Sequence, residues 1–128
     1  MRKQKSGCIL QISSVGGRLA LPGSTAYHAA KWAVGGFTES LAQEVAPFGV
    51  RVCTLEPGGM RTNWNTRAQA ILRLAASDRL PAHLLLGSDA VKYAAEAEAA
   101  RAAEAERWRE ISVSTDFRGP RALPDLQF

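Results

Sequence analysis

One pair of side chains in this sequence could carry out acid/base chemistry, Tyr27 with Lys31 four residues later. Side chains at i and i+4 lie one turn apart on the same face of a helix. The surrounding apolar residues recur at intervals of three and four, which predicts such a helix with one stripe facing a core. This stripe comprises Ala30, Val34, Phe37, Leu41 and Val45. An ammonium close to a phenol favours the phenolate, as an acid/base catalyst requires.

Two further motifs flank the predicted helix. Upstream, a short apolar run ends in two serines, and the second of them, Ser14, precedes Tyr27 by thirteen residues. Downstream, residues 50–55 form another apolar run, which leads into Pro57-Gly58. Short apolar runs bounded by turn residues predict buried strands. The loop between Ser14 and the helix is long enough for the serine and the tyrosine to converge from two different elements.

In this order and at this spacing, the three motifs resemble those of the short-chain dehydrogenases/reductases. Members of that family carry a serine at the end of a strand, Tyr-x-x-x-Lys on the next helix, and Pro-Gly-x-x-x-Thr after the following strand. Here the last motif is Pro57-Gly58-Gly59-Met60-Arg61-Thr62. Three motifs together are far more specific than any one of them. The close resemblance covers residues 1–66 and corresponds to the C-terminal half of the family fold.

The resemblance implies hydride transfer between NAD or NADP and a carbonyl or alcohol substrate. Tyr27 would be the general acid/base, Lys31 would favour its phenolate and bind the nicotinamide ribose, and Ser14 would hold the substrate oxygen. Positioned donors of this kind stabilise the alkoxide-like charge that develops. Ser13 is the competing hydroxyl, and the spacing selects Ser14. The implied cofactor-binding residues are Tyr27, Lys31, Pro57, Gly58, Met60 (through its backbone) and Thr62.

The predicted fold class is α/β, a partial Rossmann-like doubly wound fold of about three parallel strands with flanking helices. Predicted strands span residues 7–13, 50–55 and 83–87, and predicted helices span 26–46, 66–76 and 89–110. A helical crossover of this length makes the first two strands a parallel pair. Ser24 or Thr25 and Ser88 are the predicted N-caps. We expect residues 1–111 to form the domain and residues 112–128 a loose tail.

The last helix is predicted to be largely solvated, because its large apolar residues are few. Its ion pairs at i and i+3, Glu98 with Arg101 and Glu104 with Arg107, support the prediction. Gly35 and Gly36 interrupt the helix that carries Tyr27, and we interpret them as sites of close packing rather than ligand contacts. His28 points about 100° away from Tyr27 on that helix and is interpreted as structural. His83 is interpreted as unreactive.

A cofactor site of this family also needs a Gly-rich turn, which this sequence lacks: it contains no G-x-G. We therefore expect Met1 to correspond to an internal position of the family fold. We also expect the isolated chain to bind NADH or NADPH weakly or not at all. Two functions of different class stay open. One is an oxidoreductase using Ser14, Tyr27 and Lys31. The other is a non-catalytic remnant that binds a partner, such as a second copy or another subunit of the family, through the Tyr27 helix.

The composition is that of one modest soluble globular domain, with 128 residues, 46% of them hydrophobic and 22% charged. The net charge of +4 is dispersed, and the basic cluster at residues 2–5 is too short to indicate nucleic-acid binding. No apolar run reaches membrane-spanning length. We expect a cytoplasmic protein with a small-molecule substrate, no metal site, and two free buried thiols, Cys8 and Cys53.

Overall fold

Three parallel strands form a single sheet in the order β1-β2-β3, in a computed structural model that describes residues 1–59 and 64–116, with only the backbone of 64–67. The strands are β1 (Gly7–Ile12), β2 (Val50–Pro57) and β3 (His83–Leu86). Gly7 pairs with Val50 and Thr54 pairs with His83 at the two junctions. The predicted α/β fold with about three parallel strands is therefore confirmed.

Four helices connect and follow the strands: α1 (Thr25–Val45), α2 (Trp64–Ala76), α3 (Ser88–Arg107) and α4 (Arg109–Ser114). Two short 3-10 turns span Val15–Gly17 and Ala46–Phe48. Ser24 stands at the N-cap of α1, but its side chain makes no capping hydrogen bond. The predicted cap at Ser88 was wrong by one residue, because Gly87 holds that position. Residues 112–114, predicted to be loose, continue α4, and residues 117–128 lie outside the described part.

Strand β2 is the centre of the molecule because it pairs on both sides. Its buried apolar residues are Val50, Val52, Cys53 and Leu55, and α3 adds Ala90 and Ala94. Helix α1 packs over this strand. Glu56 of β2 and His83 of β3 lie on the face that α1 covers, since His83 reaches Glu39 of α1. Arg51 lies on the opposite face and donates to the Ala75 carbonyl of α2 at 3.2 Å.

The inward side of α1 agrees only in part with the predicted apolar stripe, since Val34, Leu41 and Val45 are half-buried. Phe37 is 57% exposed and Ala30 is also exposed, whereas the buried residues are His28 and Thr38. Both polar side chains are hydrogen-bonded, and Thr38 Oγ1 donates to the Val34 carbonyl at 2.7 Å. Burial of a polar group costs little once its hydrogen bonds are made. Hydrophobic periodicity therefore identified three residues of the contact face and missed its two buried polar residues.

Gly35 confirms the close-packing interpretation, whereas Gly36 does not. A Cβ added to Gly35 would lie 3.3 Å from Cε1 of His83, so β3 approaches the helix closely there. A Cβ on Gly36 would have no atom within 4 Å. Only the first of the two mid-helix glycines therefore has a packing reason in the fold.

The two cysteines occupy different environments. Both are free, with Cys53 fully buried and Cys8 half-buried, so the prediction of two buried thiols holds for Cys53 alone. Burial raises the pKa of the Cys53 thiol to about 11, with smaller contributions from Cys8 and Glu56. The described residues include no group of three His, Cys, Asp or Glu side chains placed to hold a metal ion. No helix among them has the length and apolarity to span a bilayer.

Candidate active site

The two serines at the end of β1 have different surroundings. Ser13 is 3% exposed, and its hydroxyl donates to the backbone carbonyl of Lys31 at 2.9 Å, which anchors the strand to α1. Ser14 is half-buried and caps the following 3-10 turn, because its Oγ accepts from the Gly16 N–H at 3.0 Å. Its hydroxyl also lies 3.5 Å from the Pro57 carbonyl of β2. Ser14, the serine selected by spacing, is thus the one that faces the carboxyl end of β2.

Tyr27 lies against the same turn that Ser14 caps. A Cβ on Gly16 would be only 2.8 Å from Cε1 of the tyrosine ring, so no larger residue fits without moving the ring. The Gly16 amide at the same time binds Ser14 Oγ. The tyrosine side chain is 48% exposed. A single glycine therefore brings the serine hydroxyl and an accessible phenol ring to the same side of the sheet.

Lys31 lies one helical turn after the tyrosine and extends towards the strand. Its Nζ is 5.9 Å from the centroid of the Tyr27 ring and 3.4 Å from the backbone carbonyl of Ile12. Close packing beside it depends on a second glycine, since a Cβ on Gly17 would lie 2.9 Å from the Lys31 carbonyl oxygen. The ammonium is thus held between the tyrosine ring and the end of β1.

His28 is structural, as its position on the helix predicted. The Leu21 N–H can only donate, and it lies 3.0 Å from Nε2 of the ring, which must therefore accept. Nδ1 consequently carries the proton and donates to the Gly16 carbonyl at 2.7 Å. Because the ring is 7% exposed and both nitrogens are bonded, it fixes the turn and the following loop against α1.

The segment after β2 approaches the beginning of α3. The Gly59 N–H donates to Oδ2 of Asp89 at 2.6 Å, and the Gly58 N–H donates to the Leu86 carbonyl at 3.1 Å. A Cβ on Gly58 would lie 2.5 Å from the Asp89 carboxylate. Asp89 therefore orients the Pro-Gly-Gly segment that the family resemblance assigns to the cofactor. The remaining assigned positions, Met60 and Thr62, lie outside the described residues.

Three of the residues that shape this site were not singled out from the sequence: Gly16, Gly17 and Asp89. A signal for the first two was present, because a glycine doublet two residues after the candidate serine permits close approach of a helix. Asp89 stands among ordinary first-turn residues of a helix, where acidic side chains are common. Its contact with Gly59 joins positions thirty residues apart in the sequence. A pattern of neighbouring residues cannot predict such a distant contact.

Comparison with known proteins identifies the family of this part of the chain. A family model described as short chain dehydrogenase matches residues 1–71, which is more than half of the 128 residues and includes Ser14, Tyr27, Lys31 and the Pro-Gly segment. The chain belongs to the short-chain dehydrogenase family.

Individual relatives match this family member over a longer part of its sequence than the family model does. It is 38% identical over 151 residues to an oxidoreductase of Botryotinia fuckeliana, covering 90% of the chain and 55% of that relative. A solved short-chain dehydrogenase from Streptomyces avermitilis superposes with a TM-score of 0.83 at 34% identity, covering 91% of this chain and 55% of that one. A short-chain dehydrogenase from Burkholderia cenocepacia, solved in complex with NADP, gives 0.62 at 26% identity, covering 82% and 48%. The chain spans about half the length of these relatives.

Proposed function

We propose that this chain supplies the proton-transfer residues of an NAD- or NADP-dependent oxidoreductase acting on a carbonyl or alcohol. The observation that carries the proposal is the grouping of Ser14, Tyr27 and Lys31 around one glycine turn at the carboxyl end of β1. Ligands of parallel α/β sheets bind at that end of the strands. Membership of the family and the NADP bound by the Burkholderia relative support the cofactor class.

The chemistry follows from three groups with different roles. In the direction of reduction, the Ser14 hydroxyl hydrogen-bonds the substrate oxygen and holds it near the phenol. Tyr27 donates its proton to that oxygen as negative charge develops there. The Lys31 ammonium stabilises the phenolate that is left. In the direction of oxidation, the same phenolate accepts the proton from the alcohol.

The nicotinamide end of a cofactor fits the residues present. Tyr27 and Lys31 lie close to the turn after β1. Ser14 of that turn faces the Pro57 carbonyl at 3.5 Å, and the glycine backbone at Gly58 lets a ligand approach closely. Met60 and Thr62 would complete this set, and the bound nicotinamide would supply or accept the hydride. The adenosine diphosphate end has no fitting Gly-rich turn, because the sequence contains no G-x-G.

The first experiment is a fluorescence titration of the isolated chain with NADH and with NADPH. We expect weak binding or none, since the contacts to the pyrophosphate are missing. A dissociation constant in the micromolar range would contradict this expectation. It would show that the dinucleotide is held by residues other than a Gly-rich turn.

The second experiment tests the proton-transfer assignment with Tyr27→Phe. Turnover of small ketones and aldehydes is measured at one high, fixed concentration of NADPH for the wild type and the variant. We expect the rate to fall by about 10²- to 10⁴-fold, the usual contribution of a positioned general acid. The control is Tyr93→Phe, since the only other tyrosine lies exposed on α3, and it should keep the full rate.

Equal rates in the two variants would remove Tyr27 from the mechanism. A wild-type chain that neither binds a dinucleotide nor turns over any ketone would instead favour the alternative function. That alternative is binding of another subunit of the family through α1. Sedimentation with and without such a subunit would then measure it directly.

A further inference from the structure

A buried carboxylate lies directly beneath the proposed site and has no part in the mechanism above. Glu56 is the residue before Pro57 at the end of β2, and it is 1% exposed. Its two oxygens accept from Nε of Arg18 at 2.9 and 3.2 Å. Oε1 also lies 2.7 Å from Nδ1 of His83. A fully buried charge thus has partners from the loop after β1 and from β3.

His83 continues this chain of charges to the helix that carries the tyrosine. Its Nε2 lies 2.6 Å from Oε1 of Glu39 on α1. With a carboxylate at each nitrogen, the ring links Glu56 of β2 to Glu39 of α1. Gly35 provides the room for the ring against α1.

The outer end of the network is fixed by α3. Arg18 donates from Nη1 to Glu98 at 2.6 Å, and its backbone carbonyl accepts from Arg101 at 2.5 Å. Glu56 therefore stands at the centre of contacts from the serine loop, β3, α1 and α3. Stability alone does not require this arrangement, because a well-packed apolar cluster is often at least as stable as a buried ion pair. Directional charge-assisted bonds add a fixed geometry instead.

The fixed geometry of this network also constrains the position of Ser14. Ser14 begins the 3-10 turn that Arg18 ends, and its hydroxyl faces the carbonyl of the residue after Glu56. The loop is thus tied to the end of β2 at both ends of the turn. We propose that Glu56 is a positioning residue, which through Arg18 and His83 fixes the loop that carries Ser14 against β2 and α1. The inference rests on the proposed function in one respect, which is that Ser14 holds a substrate oxygen.

The test uses Glu56→Gln, which keeps the shape of the side chain and removes its charge. Hydrogen exchange of the Gly16 and Gly17 amides reports the loop, because both donate to Ser14. We expect their exchange to accelerate by about tenfold or more relative to amides in the middle of α1, since the charge-assisted bonds that close the loop are lost. The control Glu96→Gln removes a carboxylate charge from an exposed ion pair with Lys92. It should leave the exchange rates of both the loop amides and the α1 amides unchanged.

A second readout is the ¹⁵N spectrum of the His83 ring, recorded for the wild-type chain and for Glu56→Gln at the same pH. We expect the Nδ1 signal to shift in the variant, because its partner at 2.7 Å loses its charge. Should that variant fail to fold, Arg18→Lys retains the charge without the guanidinium geometry and should show the same faster loop exchange. An unchanged Nδ1 signal in Glu56→Gln, or loop exchange that rises only in step with α1, would overturn the proposal. None of these measurements needs a cofactor or substrate, so their outcome is independent of the Tyr27→Phe result.

Discussion

Residues 1–59 and residues 64–116 are held in place by different kinds of contact. In the first region, the turn after β1 packs on α1 through glycines that leave no space for a side chain. In the second region, only the small side chains of Ala90 and Ala94 are buried on α3, whereas Val91 and Tyr93 are about half exposed. The stability of the first region therefore depends on close packing, and even a small increase in side-chain size should lower it.

Besides the pairing of β3 with β2, the second region contacts the first through polar side chains of α3. Glu98 and Arg101 bind Arg18, and Asp89 binds the Gly59 amide. Such bonds are directional, and on a surface each contributes modestly to stability. The candidate catalytic side chains all belong to the tightly packed region. Packing therefore fixes the reactive groups, whereas polar contacts attach α3 to the loop that follows β1.

The largest expected effect comes from Gly17→Ala. The new methyl group would lie 2.9 Å from the Lys31 carbonyl oxygen and 3.0 Å from Ser13 Oγ. The first obstacle is helix backbone, which cannot move aside as a side chain can. We expect a loss of about 1–3 kcal/mol in the free energy of unfolding, as is usual for overpacking. Urea denaturation followed by circular dichroism measures it.

Gly36→Ala is the matched control for that substitution. It adds the same methyl group to an exposed position of α1, where no atom lies within 4 Å of the new Cβ. Alanine in a helix interior is favoured over glycine by up to about 1 kcal/mol, so this variant should be more stable than the wild type. If both variants shift the midpoint equally, packing at the glycine turn is not what holds this region together.

A smaller effect should follow from the buried thiol of the first region. Burial raises the pKa of Cys53 from 9.0 to about 11, so the folded state keeps its proton at pH values where the unfolded chain releases it. Stability should consequently fall as the pH rises above about 9, by about 1 kcal/mol at pH 10, and the loss should level off above about 11. Chemical denaturation at pH 7 and pH 10 measures the difference.

The comparison for this prediction is Cys53→Ala, which removes the titrating group. The part of the alkaline loss that belongs to the thiol should disappear in that variant and persist in Cys8→Ala. An identical alkaline loss in wild type and Cys53→Ala would assign the whole effect to other groups. It would also contradict the deep burial of the thiol in β2.

The elements of the fold could be predicted because their patterns are local. The apolar runs predicted the three strands, and the family motifs predicted Ser14 after the first strand and Tyr27 on the next helix, where the structure has them. The inward side of α1 was only partly predictable in this way. The nitrogens of His28 are satisfied by Gly16 and Leu21 outside the helix, and the hydroxyl of Thr38 is satisfied by Val34 within it. Hydrophobic periodicity registers neither kind of partner.

Charge pairs were likewise predictable only where the two partners are close in sequence. The predicted pair of Glu104 with Arg107 is confirmed at 3.2 Å, because both lie on one exposed helix face. The predicted pair of Glu98 with Arg101 was wrong, since both bind Arg18. His83, interpreted as unreactive, bridges two carboxylates, a contact set by strand register and not by sequence neighbours. Helical spacing predicts local pairs, and only the fold identifies the distant ones.

The smallest expected effect is that of Glu104→Gln in the second region. The variant loses the exposed ion pair with Arg107 but keeps an oxygen for the Trp108 Nε1–H, which donates to Glu104 at 2.6 Å. Exposed pairs at this spacing contribute about 0.2–0.5 kcal/mol, and salt screens them, so the change should be slight and should vanish at 1 M salt. Thermal denaturation at low and high salt tests this beside Gly17→Ala. A loss as large as that of Gly17→Ala would mean that α3 and α4 are held as firmly as the serine turn, and the contrast between the two regions would not stand.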